Sequence, residues 1–155
     1  MSIKFDYTDK VVLVTGSSSG IGEAIAKRMA ELGAMIVITG RSKENVHRVA
    51  NECQQLSPRK LQPLQVIADI TNDDDARRLI QSTIDMFGRL DLLINNAGYA
   101  QVTSIFDPKS LDSFDKVIRL DVRATINLTL MAVPYLEKTG GNIINISSIC
   151  GTKPV

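Results

Sequence analysis

Tryptophan is absent from this 155-residue chain, histidine occurs once, cysteine twice, and aromatics make up only 5%. With so few rings, the core has to be built from aliphatic side chains. Cys53 and Cys150 lie far apart in no metal-ligand spacing, and the single histidine, His47, adds no partner, so no metal site is expected. Neither sign of charge dominates: 18 Lys and Arg stand against 17 Asp and Glu, a net charge of +1, with no basic stripe. That argues against a nucleic-acid partner, whose binding needs a clustered cationic surface. No apolar run approaches the roughly 18 residues of a membrane span. The start, Met1 to Asp6, lacks the apolar centre of a signal peptide. The expectation is a cytoplasmic, reduced protein whose residues 1–155 form a single domain.

What the chain does contain is a regular alternation. Continuous aliphatic runs occur at Val11–Val14, Ile36–Ile38, Leu64–Ala68, Leu92–Ile94 and Ile143–Ile146. Unbroken runs, rather than alternating ones, are how strands covered on both faces read. Between them, apolar residues fall at helical spacing. Ile21, Ile25, Met29 and Leu32 form one stripe; Val46, Val49, Ala50 and Cys53 form a second. Ala76, Leu79, Ile80, Thr83, Ile84 and Phe87 form a third, entered through Thr71-Asn72-Asp73-Asp74, which reads as a capping box. A longer helix is expected from Phe114 to Leu136, kinked in its last turn by Pro134. Strands alternating with helices predict an α/β fold, a doubly wound parallel sheet of Rossmann type with five strands. The sequence stops in a loop right after the fifth run, which would leave a buried-type strand at a sheet edge. The expectation is therefore that further strands and helices belong to this domain.

The first strand runs directly into Thr15-Gly16-Ser17-Ser18-Ser19-Gly20-Ile21-Gly22 and then a helix. Glycines allow a tight turn and close approach to a pyrophosphate, and a helix N-terminus offers free N–H groups with a positive dipole end. The spacing is Gly-x-x-x-Gly-x-Gly rather than the usual Rossmann Gly-x-Gly-x-x-Gly; alone it would be read as a turn, but its place between a buried strand and an amphipathic helix predicts a dinucleotide site. About 20 residues further on, such sites carry an acid that holds the ribose 2′-hydroxyl. Here the stretch reads Thr39-Gly40-Arg41-Ser42, with no acid and one arginine. Arg41 is suited to clamp a 2′-phosphate, so NADP is favoured over NAD; the bland reading is a solvated arginine beginning a helix. Asp69, after the third strand, is either a turn residue or a ligand contact. Asn95-Asn96-Ala97-Gly98 end the fourth strand, at the carboxyl edge where open sheets place ligands, and the asparagines are able to fasten neighbouring loops.

Taken together, Thr15 to Gly22, Asp69-Ile70, Asn95 to Gly98 and Ile146-Ser147-Ser148, in this order and separation, resemble the short-chain dehydrogenase/reductase family, and its 3-oxoacyl-carrier-protein reductase-like members in particular. The resemblance covers essentially the whole chain. It implies an oxidoreductase that moves a hydride between NADP and a small-molecule carbonyl or secondary alcohol. Gly16, Ser17, Ser18, Ser19, Gly20, Ile21 and Gly22 would cradle the cofactor phosphates, Arg41 would hold the 2′-phosphate, and Asp69 and Ile70 would lie against the adenine. Asn96, Ala97 and Gly98 would meet the adenosine ribose and the middle of the cofactor, and Ser148 would hydrogen-bond the substrate oxygen. Members of the family form homo-oligomers through the Phe114–Leu136 helix and the one that follows the serine.

Two departures from the family pattern qualify this. The Tyr-x-x-x-Lys pair that transfers the proton belongs on the next helix, and none of Tyr7, Tyr99 or Tyr135 has a lysine four residues on. The expectation is that these 155 residues alone are catalytically incomplete; the alternative is a non-catalytic nucleotide-binding module or a partial gene product. The second departure is Asp121, where the family usually has an asparagine in its proton relay. Phe114, Ile118, Asp121, Thr125, Leu128 and Ala132 share a 4-3-4-3-4 spacing, which predicts an inward-facing carboxylate. Buried, it would cost several kcal/mol unless paired or protonated.

Overall fold

The computed structural model describes residues 5–101, 104 and 106–151. Five strands form one sheet in the order β3-β2-β1-β4-β5. They are β1 (Val11–Val14), β2 (Met35–Gly40), β3 (Leu64–Ile67), β4 (Leu92–Asn95) and β5 (Asn142–Asn145), and every pairing is parallel. The unbroken aliphatic runs of β1, β2 and β4 are explained by covering on both faces. Val12, Val14, Ile36, Ile38, Leu92 and Ile94 point to one core with helices α1 (Gly20–Glu31) and α2 (Lys43–Leu56). Val11, Leu13, Val37, Val66 and Leu93 point to the other, beneath α3 (Asp73–Phe87) and α5 (Thr125–Thr139). β5 lies at the sheet edge, with Ile143, Ile144 and Ile146 partly exposed. The direction of winding reverses at β1, between β1 and β4, which is where open α/β sheets form a crevice at their carboxyl ends.

The helices follow their expected spacing in two cases and depart from it in others. All four residues of the Val46–Cys53 stripe are buried, as are Ala76, Leu79, Ile80 and Thr83 of α3. In α1 the buried line is Gly22, Ala26 and Ala30, and the larger Ile21 lies exposed. Small residues let this helix lie close on the sheet, and the larger ones flank it. The start of α3 is capped by Asn72, whose Oδ1 accepts from the N–H groups of Asp74 and Asp75, and not by Thr71. The Asp75 carboxylate reaches back to the Asp69 N–H at 2.8 Å. Between α1 and α2, Glu23 accepts from Arg48 and Lys27, and these bonds, Arg48 first, hold its carboxyl down at about 2.

The long helix is where the expectation fails most. It begins as α4 (Ser110–Val117), widens into a π-type stretch over Ile118–Ala124, and resumes as α5 through Pro134 to Thr139. A π-type turn takes more residues than an α-turn, so the buried line shifts. Ser113, Ala124, Leu128, Ala132 and Leu136 face inward. Phe114, Ile118 and Val122 are exposed, in a row continued by Ile126 and Leu130. Asp121 is exposed as well, so the predicted buried carboxylate does not exist. Arg123 ties this region to α3 through a two-pronged bond to Asp73, at 2.8 and 2.9 Å.

Candidate functional site

The turn after β1 is held from behind by β4 and β2. Thr15 Oγ1 accepts from the backbone N–H groups of Asn96 and Ala97, both at 2.9 Å, and Asn96 Nδ2 donates to the Thr15 carbonyl at 2.9 Å. The two loops that follow adjacent parallel strands are thereby fixed together. Ser17 is fully buried; its hydroxyl accepts from the Thr39 N–H, and its own N–H donates to the Thr39 carbonyl. Asn95 performs a similar task on the other side, donating to Thr129 Oγ1 in α5 and Asn145 Oδ1 in β5. Both asparagines therefore fasten neighbouring elements.

In front of this frame lies a cavity of about 890 Å³. Its walls include Gly16, Ser18, Ser19, Gly20 and Ile21 of the turn, Arg41 after β2, Asp69 and Ile70 after β3, and Asn96, Ala97 and Gly98 after β4. Eleven of the thirteen residues expected at a dinucleotide thus share one cavity; Ser17 and Gly22 sit beneath the turn, outside its lining. Asp69 also serves as a turn residue, since its Oδ1 accepts from the N–H and hydroxyl of Thr71 at 3.0 and 2.7 Å. Thr39, Tyr99, Lys116, Arg119 and Leu120 line the cavity too, and nothing in the sequence pattern singles them out. Lys116, Arg119 and Leu120 come from α4 and the π-type stretch, whose facing depends on the widened turn.

The start of α1 gives the cavity its chemistry. α2 is capped by Ser42 and α3 by Asn72, but Ser19 makes no side-chain cap for α1. The first-turn N–H groups of α1 therefore remain available at the cavity wall, with the positive end of the helix dipole behind them. A Cβ built on Gly20 would meet nothing within 4 Å, so the wall there is open space bounded by backbone. The Thr39 hydroxyl, at the same wall, is buried without a partner among the described residues. Free N–H groups at a helix start are a general attractant for anions.

The two residues expected to take part in chemistry lie toward β4 and β5. Asp121 Oδ1 accepts from the Tyr99 N–H at 2.9 Å and sits 3.7 Å from where a Cβ on Gly98 would be. Asn95 and Asn145 are register partners, so Gly98 and Ser148 each lie three residues past a matched pair, on the same sheet edge. Ser148 is exposed, outside the cavity lining, and its Oγ accepts from the Cys150 N–H at 3.2 Å. Because Asp121 is exposed, Asp121→Asn is expected to leave stability within about 0.5 kcal/mol, the amide oxygen still accepting from Tyr99. A thermal melt that moves by several degrees would show a role in folding that this geometry does not contain.

Residues 10–155 match the family described as short chain dehydrogenase, and the chain belongs to it. An uncharacterized oxidoreductase of Staphylococcus aureus is 41% identical over 145 residues, 93% of this chain and 60% of that protein. L-fucose dehydrogenase of Bos taurus is 36% identical over 151 residues, covering 97% of this chain and 53% of its own. Among solved structures, the apo form of Caenorhabditis elegans glucose dehydrogenase superposes with a TM-score of 0.81 at 38% identity, over 93% of this chain and 56% of that one. A 7α-hydroxysteroid dehydrogenase complexed with NADH and 7-oxo glycochenodeoxycholic acid superposes with a TM-score of 0.90 at 28% identity, over 98% and 58%. The chain thus spans between 53% and 60% of the length of these relatives.

Proposed function

We propose that this chain is the cofactor-binding part of an NADP-dependent oxidoreductase acting on a small carbonyl compound or secondary alcohol. The observation that carries the reading is the uncapped, glycine-lined start of α1 opening onto the cavity where the winding of the sheet reverses. The residues present fit a dinucleotide: free N–H groups and open space at Gly20 for a pyrophosphate, Arg41 for a 2′-phosphate, Asp69 and Ile70 for the base, and the buried Thr39 hydroxyl as a further partner. When bound, NADP supplies or receives the hydride. The protein's own share is to hold it: Asn96, Ala97 and Gly98 shape the wall between turn and β4, and the Thr15 bonds keep that wall rigid. Ser148, on the adjacent edge, would donate its hydroxyl to the substrate oxygen, and Asp121 would order the loop at Tyr99 beside it. The exposed apolar row from Phe114 to Leu130 suits assembly into a homo-oligomer.

NADPH titrated into the protein is expected to bind, and Ser148→Ala to leave that binding unchanged. In a form extended by a segment that supplies the family's Tyr-x-x-x-Lys pair, the same substitution is expected to lower turnover of carbonyl substrates by about 100-fold or more, the usual cost of losing a donor to a developing oxyanion. Failure to bind either nicotinamide dinucleotide would overturn the reading. Binding without turnover in that extended form would leave a nucleotide-binding module.

A further inference from the structure

Arg41 has company at the cavity, and it arrives from the other face of the sheet. Arg41 directly precedes Ser42, the cap of α2, and α2 packs on one core. Lys116 and Arg119 line the cavity beside Leu120, which packs on the opposite core with α3 and α5. Among the described residues none of the three cations is ion-paired. Of the acids that share a depression with Arg119, Asp73 accepts from Arg123 and Asn127 and Asp74 from Arg77, while Asp115 lies outside the cavity lining and forms no ion pair among the described residues. Among the described residues Asp69 is the sole carboxylate on the cavity wall, and one of its oxygens serves Thr71. The lining thus carries three cations against one acid, an excess that attracts an anionic ligand.

The position of the excess says which part of a ligand it would meet. Thr71 and Arg119 also line a second depression at the carboxyl end of β3, whose acids are Asp73, Asp74 and Asp115 and whose other cation is Arg123. Asp121, Gly98 and Ser148 belong instead to the β4–β5 end. We propose that Lys116 and Arg119 are a second set of anion-binding residues, holding the phosphorylated adenosine end of a dinucleotide from the α4 side while Arg41 holds it from the α2 side. This rests on the dinucleotide reading above. It adds that selectivity for a phosphate-bearing adenosine is shared between two elements on opposite faces of the sheet, and does not reside in Arg41 alone.

The probes are adenosine 2′,5′-bisphosphate and adenosine 5′-monophosphate, titrated calorimetrically at low and high salt. They are applied to the unaltered protein, to the double variant Lys116→Gln/Arg119→Gln, and to Arg119→Lys. The double variant is expected to bind the bisphosphate about tenfold more weakly at low salt, because charge-assisted hydrogen bonds to the second phosphate are removed at an exposed site. The monophosphate should bind less than about threefold more weakly, and the salt dependence of bisphosphate binding should flatten. Arg119→Lys should keep most of the affinity. Both side chains are exposed, so melting temperature should hardly move. Unchanged bisphosphate affinity in the double variant would overturn the inference and leave the dinucleotide reading intact. Equal losses for both nucleotides would also overturn it, by assigning the pair to cavity shape. If the unaltered protein binds neither nucleotide, the dinucleotide reading falls, and this inference with it.

Discussion

Arg41→Ala is expected to weaken NADPH binding tenfold or more while leaving NADH nearly unchanged. The two ligands differ only in the 2′-phosphate, so a residue that touches that group alone must discriminate between them. Arg41 is well placed to do so. It follows Gly40, the last residue of β2, and precedes Ser42, whose Oγ accepts from the Asn45 N–H at 3.3 Å and fixes the start of α2. The backbone that carries the guanidinium is therefore anchored on both sides, while the side chain is exposed at the cavity rim. A hydrogen bond to a charged group contributes about 1.5–3 kcal/mol, or roughly 10- to 150-fold in affinity. The lower part of that range is the expectation here, because solvent reaches the rim. Fluorescence or calorimetric titration of both cofactors against both proteins measures it. Equal losses for NADPH and NADH would remove the 2′-phosphate assignment and make Arg41 a general contact.

How far each feature can be read from the sequence follows from what determines it. The strands are legible because a strand covered on both faces has no polar side, and Val11–Val14 and Leu92–Ile94 show none. The turn is legible because strand, glycines and helix are contiguous, so chain order alone places Gly16 to Ile21 beside the β4 loop once the sheet order is known. The face of α1 is not, because bulk is a poor guide where a helix lies close to a sheet: Gly22, Ala26 and Ala30 make the contact, and Ile21 looks outward. Asp121 escapes for a different reason. Extending an α-helical period back from Leu128 and Ala132 ignores the π-type turn over Ile118–Ala124, which rotates everything before it. No residue type marks such a turn, and so the place of Lys116 and Arg119 at the cavity has no signature in the chain. The uncapped start of α1 is a third kind of case. Ser19 has the chemistry of a cap, and only the folded structure shows that its hydroxyl is not used as one.

Gly22→Ala is expected to cost the protein more stability than any other single methyl added to the turn. A Cβ at Gly22 would overlap Asn96 Nδ2 and lie 2.5 Å from the Gly16 carbonyl oxygen and 2.9 Å from its carbon. Neither neighbour is free to give way. Asn96 Nδ2 donates to the Thr15 carbonyl, and a Cβ at Gly16 would itself stand 3.0 Å from Ala97 Cα, so the turn is already tight against the β4 loop. Room for the methyl has to come from breaking the Asn96–Thr15 bond or lifting α1 off the turn. Overpacking costs about 1–3 kcal/mol, and a lost hydrogen bond about 1 kcal/mol more. At roughly 2–4 °C per kcal/mol for a protein of this size, the melting temperature should fall by about 4–16 °C. Gly20→Ala is the informative companion. Its Cβ meets no neighbour within 4 Å, although φ is +57°, a conformation that costs a non-glycine residue about 1–2 kcal/mol. Its methyl projects at the cavity wall, where the first N–H groups of α1 are presented. Gly20→Ala should therefore lose most of its NADPH affinity with the smaller drop in melting temperature, and Gly22→Ala should show the larger drop. The reverse ranking in thermal melts would mean that Asn96 and the turn are looser than their hydrogen bonds imply, and that the frame behind the cavity is not what holds α1 in place.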